Sequence, residues 1–161
     1  MSQRPNVFAD EPWEVTAEKM GVRGRQVAEP AGAQELGATI YEYEPGASGF
    51  NLHTHYGFEE LFVVLAGRPT LRTPAGEQPL ATGDVISCPK GRDGMHTFSN
   101  PTGDPARILA ISTLEFPDVV VYPELGTVAV ATRHPFKTVG EGEDEGLVAL
   151  FPRDSDVRGR T

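Results

Sequence analysis

The stretch HTHYGFEELFVVLAG, residues 53–67, decides how this chain is read. His53 and His55 are two positions apart. On a β-strand, residues i and i+2 point to the same face, so both imidazoles can reach one ion. Four residues separate His55 from Glu60, enough for a tight turn onto the next strand. Glu60 then shares a face with Phe62 and Val64, while Glu59 points the other way, as a solvated rim residue. A carboxylate turned inward among apolar side chains costs roughly several kcal/mol unless a cation or hydrogen bonds compensate it. A second segment, GDVISCPKGRDGMHTFSN at 83–100, sets His96 on a fresh strand after a Gly-rich loop. His53, His55, Glu60 and His96 make a set of three imidazoles and one carboxylate. Such donors suit one divalent transition metal: Zn, Mn, Fe, Ni or Cu. An ion that accepts six ligands would keep two positions open, which separates a catalytic site from a closed structural one.

Around this core the chain reads as all-β. In TIYEYE, Thr39, Tyr41 and Tyr43 share one face and Ile40, Glu42 and Glu44 the other. Short apolar runs follow, among them PTLRT, PLATGDVISC and ARILAIST, separated by Gly- and Pro-containing breakers. DVVVYPELGTVAVATRHP reads as strand, turn, strand, and LVALF as a further short apolar run after the acidic loop GEGEDEG. Strands of this length at close spacing indicate a sandwich or barrel. The expected layout is an irregular N-terminal arm at 1–36, a barrel domain at 37–135 and a C-terminal extension at 136–161. Within the arm, WEVTAEKMG is compatible with a short helix, but its apolar spacing is weak.

Composition narrows the function. The 161 residues carry a net charge of −9, which repels phosphate backbones and argues against nucleic acid. There is no basic amphipathic helix and no run of about 18 apolar residues, so no membrane role is expected. The first residues lack an apolar signal-like stretch, so a cytoplasmic location is expected. Cys88, the single cysteine, excludes an internal disulfide and a cysteine-cluster zinc site and reads as a small buried hydrophobe. His134 reads as a surface residue.

The two segments resemble the two signature motifs of the cupin superfamily. His53, His55, Glu60 and Gly67 fit the first, and Gly83, Pro89, Gly91, His96 and Asn100 the second. Two spacings depart: six residues, not five, precede His53 after Gly46, and four, not two, lie between Gly91 and His96. Both departures fall in loops, so they should alter the mouth of a site more than its ligand set. The resemblance implies a double-stranded β-helix, the jelly-roll barrel, with the ion inside it. It implies metal ligation by His53, His55, Glu60 and His96. The runs EELFVVLAGRPTLRTPAGE and VVVYPELGTVAV are similar to small bacterial cupins that carry a sugar phosphate isomerase label.

One fold hosts many reactions, so chemistry must be argued from the site. The leading expectation is an enzyme that uses the metal as a Lewis acid on a small oxygen-rich molecule, as in sugar phosphate isomerisation. With Fe or Cu the same ligands would suit a dioxygenase. A non-catalytic binding or sensing module is the reading from a different class. Tyr41 and Tyr43 are candidate catalytic residues. Arg72, Phe62 and Phe98 are candidates for substrate contact, and Lys90 and Arg92 for steering an anion to the mouth. A homodimer is expected, because open sheet edges need covering.

Overall fold

The computed structural model describes residues 4–132 and 148–152. Among the described residues thirteen strands carry the fold: β1 (Val15–Ala17), β2 (Val22–Gln26), β3 (Gly37–Tyr43), β4 (Thr54–His55), β5 (Glu60–Ala66), β6 (Thr70–Thr73), β7 (Gly76–Pro79), β8 (Val85–Cys88), β9 (Thr97–Ser99), β10 (Ala106–Ser112), β11 (Asp118–Tyr122), β12 (Thr127–Ala131) and β13 (Val148–Pro152). Two single 3-10 turns, Glu18–Met20 and Arg92–Gly94, are the only helical pieces among the described residues. All strand pairs are antiparallel.

One layer is a six-stranded sheet in the order β1-β2-β3-β10-β5-β8. Facing it are a four-stranded sheet, β13-β12-β11-β4, and a three-stranded sheet, β7-β6-β9. The two smaller sheets are joined by a bridge between His53 and His96, whose backbone amides and carbonyls exchange bonds of 2.9 and 3.1 Å. This is the expected jelly-roll barrel. Its interior is filled by Tyr43, Phe62, Val64 and Ile108 from the large sheet and Leu71 and Phe98 from the small one. Glu60 opens the interior face of β5, directly across the ladder from Cys88 on one side and Ser112 on the other. Cys88 is buried in the core, as expected.

The N-terminal arm is more ordered than its sequence indicates. Residues 15–26 add β1 and β2 to the sheet edge, and the segment compatible with a helix by sequence is a strand followed by one 3-10 turn. In β2, VRGRQ, only Val22 is a large apolar residue, so periodicity hides the strand. Ion pairs support it instead. Arg23 and Arg107 flank Glu42 across the ladder and both donate to its carboxylate. Burial opposes the charge on Glu42, but Arg107 and Arg23 hold its carboxyl below the usual range. Trp13 lies over all three guanidinium groups of this face, 5.0, 5.6 and 5.9 Å from Arg23, Arg107 and Arg25. Arg25 in turn ties down the preceding residues through Glu11 and the carbonyls of Asn6 and Ala9. His134 and the acidic loop at 140–146 lie outside the described residues.

Asn100, which closes the second motif, is a structural hub rather than a ligand. It is 0% exposed. Its amide donates to the carbonyls of Tyr43, Glu44 and Asp104, and its oxygen accepts from the Thr102 amide and hydroxyl. Removing it strands several buried backbone groups at once. Asn100→Ala is therefore expected to lower stability by about 3 kcal/mol in urea unfolding. A loss below about 1 kcal/mol would show that these turns hold without it.

Candidate metal centre

Three strand-borne segments converge at one end of the barrel. His53 and His55 come from the β4 segment, Glu60 from the start of β5, and His96 from the residue before β9. The donor atoms of His53, Glu60 and His96 all lie within 4.8 Å of one another. His55 reaches this group through Glu60, its Nε2 3.5 Å from Glu60 Oε2, and His96 Nε2 is also 3.5 Å from that oxygen.

Hydrogen bonds on the far side of each ring decide what the near side can do. His53 Nδ1 donates to the Asn51 carbonyl at 2.8 Å, and His96 Nδ1 to the Gly94 carbonyl at 2.8 Å. A carbonyl only accepts, so Nδ1 carries the proton in both neutral rings and Nε2 is left with a lone pair. His55 Nδ1 faces Asp118 Oδ2 at 2.6 Å, so this ring too carries a proton on Nδ1. Burial first, then the neighbouring imidazoles, push the His53 pKa down to about 3. Burial likewise pushes His96 down to about 4. Both are neutral at physiological pH.

Glu60 is the mismatch in this environment. Its Oε2 is buried and has no hydrogen-bond partner. Burial raises its pKa, with the nearby Asp118 adding to the rise and His55 opposing it. A buried carboxylate oxygen facing imidazole lone pairs is unfavourable, and either a cation among them or a proton on the carboxyl relieves it. Two donors about 2.1 Å from a common ion lie roughly 3 to 3.5 Å apart, the spacing seen between Glu60 and two of the imidazoles. The donor set and the orphaned oxygen thus fit a divalent transition ion.

An aromatic ring backs each imidazole. Tyr122 stacks on His53 at 5.7 Å, Phe58 on His55 at 4.3 Å, and Phe62 packs against His96 at 4.8 Å. These rings hold the imidazoles in place and keep water from them.

The remaining expected residues separate clearly. Phe62 and Phe98 face the interior but are packed into the core, 4.8 Å apart. Tyr43 is enclosed in the same core, whereas Tyr41 stays half-buried, edge-on to Phe50 at 5.5 Å. Arg72 alternates with Leu71, whose cross-strand partner Phe98 faces inward, so Arg72 lies on the other face. There it makes a bidentate ion pair with Glu124 at 2.6 and 2.9 Å, away from the imidazoles. Lys90 is paired with Glu115 at 2.6 Å, Arg92 is exposed on the 3-10 turn, and Glu59 is exposed, as expected of a rim residue. Sequence reasoning missed Asp118, Tyr122 and Phe58. Asp118 and Tyr122 share the alternation of DVVVY with Val120, but nothing local ties that strand to His55, 63 residues away.

The longer spacing before His96 has a structural role. Its extra residues form the turn Arg92–Gly94, and a Cβ on Gly94 would lie 1.7 Å from the Pro89 carbonyl oxygen. Only glycine fits there, and its carbonyl is the one that orients His96.

Residues 39–112 match the family profile described as a cupin domain. Among solved structures, a sugar phosphate isomerase of the cupin superfamily from Silicibacter pomeroyi superposes with a TM-score of 0.72 at 23% identity, over 91% of this chain and 86% of that one. A candidate sugar phosphate isomerase from Acidithiobacillus ferrooxidans gives 0.67 at 24% identity, over 83% and 78%. The polyketide cyclase RemF from Streptomyces resistomycificus gives 0.60 at 24% identity, over 73% and 84%. No curated protein matches the sequence significantly.

The two depressed imidazoles make stability depend on pH. Folded His53 and His96 bind protons more weakly than the same groups unfolded, whose value is 6.5. Acid therefore favours unfolding, and stability should rise with pH between about 4 and 6.5. Glu60, raised by burial, works in the opposite sense. In metal-free protein, His96→Gln should flatten this rise when urea unfolding is measured across the window. An unchanged slope would mean that His96 takes up its proton without penalty in the folded state.

Proposed function

We propose, from the match of residues 39–112 to the profile described as a cupin domain, that this chain is a metal-dependent enzyme acting on a small oxygen-rich molecule, in the manner of a sugar isomerase. His53, His55, Glu60 and His96 would hold one divalent transition ion. The observation that carries this reading is the orphaned, buried Glu60 Oε2 with imidazole Nε2 atoms of His55 and His96 3.5 Å from it. When bound, such an ion supplies Lewis acidity toward a carbonyl or hydroxyl oxygen and stabilises negative charge that develops there.

The chain's own groups complete the assignment. Burial first, then the charge of Glu60, raise the pKa of the Tyr41 phenol, so it stays protonated at neutral pH. Tyr41 Oη therefore keeps its proton and can offer it as a hydrogen bond to a substrate oxygen, and the raised pKa makes it a weak acid. Tyr43 is raised for the same first reason, but its enclosure in the core leaves Tyr41 as the phenol that would hydrogen-bond a substrate. Phe58, Phe62 and Tyr122 exclude water from the imidazole side of the site. The name of the Silicibacter pomeroyi protein supports a sugar as the substrate class.

Metal-free protein titrated with Zn2+, Mn2+ and Co2+ tests the centre, and an aldose–ketose panel tests the reaction. Loss of a group that merely orients a ligand costs about 10–100-fold in affinity, so Glu60→Gln and His96→Ala should each lose about 100-fold or more. Glu59→Gln should stay within about twofold, because its side chain points to the opposite face. Full metal occupancy in Glu60→Gln would remove the basis of the proposal. Tight metal binding without turnover of any sugar would leave a binding module.

A further inference from the structure

Asp118 opens β11, yet its side chain is 2% exposed. β11 pairs with β4 so that Val120 lies opposite His55, which brings Asp118, two residues earlier on the same face, alongside the imidazole. Oδ2 accepts the His55 Nδ1 proton at 2.6 Å, and Oδ1 accepts the Gly57 amide at 2.8 Å. A Cβ on Gly57 would stand 2.8 Å from Asp118 Cα and 2.9 Å from Oδ1, so only glycine lets this amide approach. His53 and His96 take their orientation from backbone carbonyls. His55 alone is oriented by a charged group.

We propose that Asp118 is a positioning residue of the metal centre: it locks the His55 ring with Nδ1 protonated toward its carboxylate and Nε2 turned toward Glu60. This rests on the metal reading above. A carboxylate hydrogen-bonded to the far nitrogen of a ligating imidazole fixes its tautomer and raises its basicity.

Asp118→Asn tests this with almost no change of shape. The Gly57 amide still needs an acceptor, so the asparagine oxygen goes there and its NH2 faces His55 Nδ1. The ring must then accept at Nδ1 and carry its proton on Nε2, where no lone pair remains for an ion. Two measurements are made: 15N spectra of the labelled imidazoles in metal-free protein, and calorimetric titration with Co2+. Wild type should show His55 protonated at Nδ1. The variant should show it protonated at Nε2, with His53 and His96 unchanged, and Co2+ affinity lower by about 10–100-fold. A role confined to anchoring Gly57 would move neither the tautomer nor the affinity. Wild type with His55 protonated at Nε2 overturns the proposal whether or not the variant folds. Wild type that binds Co2+ no more tightly than Asp118→Asn overturns the positioning role alone and leaves the metal reading standing. A wild type that binds no ion overturns both.

Discussion

One carboxylate oxygen governs this molecule. Glu60 Oε2 is buried, lacks a hydrogen-bond donor and is approached by imidazole nitrogens whose protons are committed elsewhere. Each of those facts is unfavourable alone. Together they describe an arrangement that the interior has no solvent to screen and that a cation or a proton on the carboxyl relieves. The backbone carbonyls of Asn51 and Gly94 matter as much as the rings they orient, since they decide which nitrogen is available.

The fold and the site are the same construction. His53 and His96 are the residues whose backbones join the two smaller sheets, so the seam of the second layer is also where two candidate ligands meet. Glu60 comes from the opposite layer, at the first position of β5. A cation held by all three would tie both layers together at that end of the barrel. The turn at Arg92–Gly94 and the tight passage of Gly94 past Pro89 show how a loop of unusual length is absorbed without moving His96.

Much of this was legible in the residues because β-structure writes its faces with period two. The spacing of His53 and His55, the position of Glu60 before Phe62 and Val64, and the isolated His96 after a Gly-rich loop each announced a face. So did the strands at 118–122 and 127–131. What stayed hidden depends on partners distant in sequence. Asp118 is an ordinary start to an apolar strand until β11 is laid against β4. β2 escapes because its stability comes from Arg23 and Arg25 meeting Glu42 and Glu11, not from apolar alternation. Arg72 was ambiguous by sequence because its face depends on the pairing of Leu71 with Phe98.

The covering of the large sheet's outer face has an optical consequence. Trp13 is the chain's single tryptophan, and it lies on guanidinium groups across the sheet from the imidazoles. Its fluorescence therefore reports the peeling of residues 6–14 from the barrel wall. Of the four tyrosines, Tyr122 stacks on His53 and is the natural chromophore for events at the imidazole cluster. The molecule carries separate built-in signals for its two faces.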